Sequence, residues 1–124
     1  MKVPDPRTQS IVHEKVLTAS ELKHLKESFE VREWVASKEL TKDEMLEQIG
    51  ELWNFPSYFG KNWDALIDCL SDLSWFKHNR FAFVIQGLGS GEEWDVLLEC
   101  LEEVSQRWRN RMDSSCFITV LVAQ

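Results

Sequence analysis

A chain of 124 residues is long enough for one domain with its own core, and 44% hydrophobic content with six Trp and seven Phe excludes a disordered polymer. Fourteen Lys and Arg against 21 Asp and Glu leave a net charge of −7, which argues against direct nucleic-acid binding, because phosphate contacts need an excess of cations. No apolar run approaches the ~18–20 residues of a membrane span, and the first residues have no apolar signal-peptide core.

Residues 1–10 carry two prolines and little apolar character, and read as a flexible lead-in. Residues 11–17 are short and mixed, as an edge strand would be. Ser20, Glu21 and Leu22 read as a helix start, with Leu22 and Leu25 one turn apart ahead of Phe29. Residues 29–36 alternate, which predicts a strand with Phe29, Val31 and Val35 facing the core. Thr41 and Glu44 fit a capping box, opening a helix with Met45, Leu46, Ile49, Leu52 and Trp53 on one face and an end before Pro56.

Asn62 is placed to cap a second helix reaching about Leu73, in which Trp63, Leu66, Ile67 and Leu70 recur at helical spacing. Residues 81–86 (FAFVIQ) form a compact apolar run closed by Gly87, Gly89 and Gly91, which predicts a buried strand. Trp94, Val96, Leu97, Leu98, Leu101, Val104 and Trp108 outline a long amphipathic helix. Its acids come first (Glu92, Glu93, Asp95) and its arginines last (Arg107, Arg109, Arg111), as the helix dipole favours. Residues 116–122 (CFITVLV) end the pattern as a second apolar strand. Strands alternating with helices predict one α/β domain over residues 1–124, a small parallel sheet with helices packed on it.

Cys69, Cys100 and Cys116 are odd in number and widely spaced, without a CxxC pair, which suits a reducing, cytoplasmic setting. His13, His24 and His78 lie in polar or weakly patterned stretches, away from any Ser or Cys nucleophile, and read as surface. Cys69 follows Asp68 near an apolar face, and both neighbours raise a thiol pKa, so it is a poor nucleophile. Metal-ligand spacing and a phosphate-binding loop are both missing, so the expectation is a protein without metal, cofactor or catalytic residues.

The chemistry-bearing stretch is residues 55–70. Asp64 and Asp68 are four apart, hence on one helix face, rotated away from the Trp63, Leu66 and Leu70 stripe, and Asp72 extends the row. Like charges at this spacing destabilise a helix by about 0.2–0.5 kcal/mol per pair. A solvated face would account for them. So would an acidic knob, ringed by Tyr58, Asn62 and Ile67, that enters a pocket of Arg, Lys and protonated His. Ribonucleases hold such a pocket, because the dianionic transition state at phosphorus needs cationic stabilisers. Two carboxylates a turn apart can stand in for RNA phosphates, with charge-assisted bonds to Arg.

Residues 55–56 (Phe-Pro) followed by residues 58–70 (YFGKNWDALIDCL) resemble the barstar family of ribonuclease inhibitors: an aromatic pair, Gly, a variable residue, Asn, an apolar residue, then Asp-Ala-Leu-x-Asp-Cys-Leu. Several of these positions are polar ones that folding alone does not demand. The resemblance covers about residues 31–122 and leaves residues 1–30 as an N-terminal extension, expected to be a strand plus a helix. It implies a parallel sheet of three or four strands flanked by helices, and a cognate ribonuclease bound one to one through its active site.

Carried over by position, the resemblance assigns Tyr58, Gly60, Asn62, Asp64, Ile67 and Asp68 to the enzyme-facing set, with Asp68 deepest. It adds one acid from the later helix, assigned to Glu102, with Glu99 and Glu103 close by. Lys61 stands where an acid can occur and Ile67 where a large aromatic can, which points to an altered target. An acidic module that binds a basic non-nuclease protein is the rival reading, since the same carboxylates would serve it.

Overall fold

The computed structural model describes residues 11–37 and 39–123; the expected lead-in over residues 1–10 lies outside them. The elements run β1 (Ile11–Glu14), α1 (Ala19–Ser28), β2 (Glu30–Val35), α2 (Lys42–Leu52), α3 (Trp63–Asp72), β3 (Arg80–Gln86), α4 (Glu92–Arg109) and β4 (Cys116–Val122). The strands form one parallel sheet in the order β1-β4-β3-β2. The fold is thus α/β with four strands, and residues 11–14 take one edge.

This order explains the composition of the strands. β3 and β4 are central, with helices on both sides, and both are near-continuous apolar runs. β1 and β2 are edges, and both are mixed. Alternation along β3 sends Phe81, Phe83 and Ile85 to a front layer beneath α2, α3 and α4, joined there by Phe117 and Leu121 of β4. Ala82, Val84, Ile118 and Val120 face the back, where Leu25 and Phe29 cover them. Trp53 is fully buried at the front, with the rings of Phe76, Phe81, Phe83 and Phe117 at centroid distances of 6.2, 6.0, 5.6 and 5.4 Å. Burying each such side chain contributes roughly 1.5–3 kcal/mol.

Two details depart from the sequence expectation. α1 begins one residue earlier than Ser20, and its cap is Thr18, whose Oγ1 accepts from the Glu21 backbone N–H while Glu21 accepts from the Thr18 N–H. The strand over residues 29–36 is two-sided. Val31 packs on the back cluster with Phe29, which caps α1, but Val35 is 73% exposed at the sheet edge. The buried anchor is Trp34 on the opposite side, with its Nε1 donating to Gln48 Oε1 of α2 at 2.8 Å. An indole buries more apolar area than a valine, and its one polar atom finds a partner.

α2 opens with the expected capping box between Thr41 and Glu44. Cys69, Cys100 and Cys116 are all buried free thiols.

Candidate functional site

The segment between α2 and α3 is built on packed aromatics. Phe55 and Phe59 meet edge-on at 4.8 Å, Phe55 also meets Trp75 at 6.2 Å, and Trp75 Nε1 donates to the Trp53 carbonyl at 2.9 Å. Gly50 makes this possible, since a Cβ there would stand 3.3 Å from the Phe59 ring and 3.4 Å from that of Phe55. With Phe59 drawn inward, the adjacent Tyr58 points out and is 75% exposed. Tyr58 is thus a solvent-facing aromatic on a loop held by packed rings.

Gly60 is exposed beyond it, and Lys61 holds a left-handed backbone, φ 49°, which turns the chain into α3. Asn62 is the N-cap: its Oδ1 accepts from the Ala65 N–H at 2.8 Å and its Nδ2 donates to the Gly60 carbonyl at 3.5 Å. Asn62 therefore shapes the loop as well as lying exposed on it.

Along α3, Leu66, Cys69 and Leu70 are buried, Ile67 is half-buried, and Asp64, Asp68 and Asp72 are exposed. α4 fixes the helix in place. Trp108 Nε1 donates to the Leu70 carbonyl at 2.8 Å, and Arg111, stacked on the Trp108 ring, donates to the carbonyl of Ser71. Carbonyls at the end of α3 that have no partner within the helix are thus satisfied from its neighbour.

Side by side, α3 and α4 bring four acids together. The buried Cys100 thiol is pushed up to about 11, by burial first and then by the charges of Glu99 and Asp64. One turn further on, Arg107 Nη1 donates to Asp68 Oδ1 at 3.1 Å and Arg107 Nε donates to Glu103 Oε1 at 3.2 Å. Asp64 and Asp68 on α3 thus run beside Glu99 and Glu103 on α4. Glu102 lies about 100° around α4 from Glu103, and pairs with Arg109 Nη2 at 3.9 Å.

The structure brings Tyr58, Gly60, Asn62, Asp64 and Asp68 to the surface of one loop and helix, with Ile67 partly beneath them. The participant that sequence reasoning missed is Arg107. In the sequence it stands only as a charge favourable to the end of α4. Its i, i+4 spacing to Glu103 was a legible signal, whereas its contact with Asp68 spans 39 positions.

A family model described as "Barstar (barnase inhibitor)" matches residues 29–120, from the start of β2 into β4, leaving β1 and α1 outside. No curated protein and no solved structure gives a match.

Proposed function

The chain belongs to the barstar family, and on that premise we propose that it inhibits a ribonuclease by inserting α3 and its leading loop into the enzyme's basic active site. The observation that carries this reading is Asp64 and Asp68 exposed one turn apart beside the exposed Tyr58, within the matched span. The carboxylates would take the places of RNA phosphates among the target's arginines and lysines, with charge-assisted hydrogen bonds giving direction. Tyr58 supplies a rigid aromatic to stack on a catalytic imidazole or guanidinium. Gly60, Asn62 and Ile67 complete the contact surface; Glu102, assigned with them from α4, pairs with Arg109, while the neighbouring Glu103 shares Arg107 with Asp68. On this reading the protein is an inhibitor without chemistry of its own, and it works in the reducing cytoplasm, a setting that suits three buried free thiols.

Titration of the protein into barnase, or into another small ribonuclease with a cationic active site, tests this directly. Inhibition should saturate at one to one. The association rate should fall as salt is added, because long-range attraction is screened over ~8–10 Å at 0.1–0.15 M. Asp68→Ala should weaken binding by about 3–5 kcal/mol, since it strands desolvated cations in the target. Asp72→Ala, at the far end of the row, should change little. A salt-indifferent association rate, or equal losses from the two substitutions, would sink the reading.

A further inference from the structure

The acidic face carries a cation of its own. Arg107 reaches from α4 to Asp68 on α3 and to Glu103 on its own helix, and so occupies the carboxylate placed deepest in the proposed interface. We propose that Arg107 is a specificity-determining residue, an internal counter-ion that competes with a target's cations for Asp68 and Glu103 and so disfavours loose binding to basic surfaces. This rests on the inhibitor reading above and adds to it a repulsive element. Discrimination among partners is a difference of affinities, and a misplaced like charge supplies it as effectively as a new attraction.

The geometry gives Arg107 the properties of a displaceable competitor. Its side chain is 45% exposed, and Asp68 and Glu103 are 74% and 47% exposed. Ion pairs this open are held weakly, so a well-arranged cationic pocket can take the carboxylates over. The guanidinium stays charged throughout, since its bonds to Glu103 and then to Asp68 raise its pKa further. Once displaced, it remains a cation at the rim of a cationic pocket. A target that merely carries scattered positive charge meets that repulsion without the compensating contacts at Asp64 and Tyr58.

Barnase serves as the probe. The wild-type chain, Arg107→Gln and Asp68→Asn are each titrated into the enzyme over a range of salt concentrations. Arg107→Gln should inhibit roughly two- to fivefold more tightly than wild type at low salt, the span expected for one exposed pair. The gain should shrink as salt rises, and Asp68→Asn should inhibit far more weakly. Inhibition by Arg107→Gln where the wild type gives none supports the proposal equally. Arg107→Gln at or below wild-type strength, with Asp68→Asn still impaired, overturns the role of Arg107 and leaves the inhibitor reading standing. Failure of all three chains to inhibit overturns the inhibitor reading and, with it, the role assigned to Arg107. In the free protein, the Arg107 Nε–H resonance should shift on Asp68→Asn and on Glu103→Gln; a resonance indifferent to both overturns the counter-ion contact itself.

Discussion

Tyr58 and Phe59 are neighbouring aromatics with opposite fates. Phe59 closes the aromatic packing around Phe55 and Gly50, and Tyr58 is left outside it. Composition cannot distinguish the two, because both are large and largely apolar. The pattern at residues 58–70 pointed to Tyr58, but its freedom to meet a partner depends on what Phe59 touches. Tyr58→Ala should therefore leave the unfolding free energy from urea titration within about 0.5 kcal/mol of wild type, while weakening inhibition by at least ~1 kcal/mol. A matching loss of stability would mean that the side chain serves the fold. The α4 acids divide in a similar way. Glu99, Glu102 and Glu103 look alike in the sequence, yet Glu103 shares Arg107 with Asp68 and Glu102 pairs with Arg109. Helical rotation separates them, and only the packing of α4 against α3 sets the origin of that rotation.

The elements themselves were more legible. The capping box at Thr41, the cap at Asn62, the FAFVIQ run and the closing CFITVLV strand all stand where local pattern put them. Each rests on short-range physics: a hydroxyl or amide meeting a free backbone N–H, or an unbroken apolar run that needs cover on both faces. Asn62 links element and site, since the same side chain that starts α3 lies in the candidate interface. Asn62→Ala should destabilise the fold by about 1 kcal/mol, read as a lower urea midpoint at unchanged m. Asn62→Asp keeps the capping oxygen and should restore most of that stability. If Asn62→Ala costs binding but no stability, the cap is not what the residue contributes. β2 is less legible, because a half-buried edge strand with one face on α1 and the other on α2 has no single apolar phase. Its parity placed Val31 correctly, while Trp34 on the other face became the anchor.

At the scale of the molecule, α1 covers the back of a sheet whose front carries the other helices, and Leu25 sits fully buried in that layer. The buried thiols belong to this scale, because burial between layers is what perturbs them. Folding raises the Cys100 pKa from 9.0 to about 11, chiefly by burial and then through Glu99 and Asp64. The unfolded chain thus loses this proton first as pH rises. The associated stability is complete below about pH 9 and is lost as pH climbs through about 11. The urea midpoint of the wild type should fall across that window more steeply than that of Cys100→Ala, and parallel curves would show that another group governs the alkaline limb. By itself the sequence determined the α/β class, the helix caps, the two central strands and the barstar-like pattern around Asp64 and Asp68. These are fixed by neighbours a few residues apart, or by a motif whose exposed carboxylates, Asp64 and Asp68, the helix itself does not require. Only the tertiary structure decided the sheet order, the join between Asp68 and Glu103 through Arg107, and the outward turn of Tyr58. Those depend on contacts between residues far apart in the chain, which a local pattern does not encode.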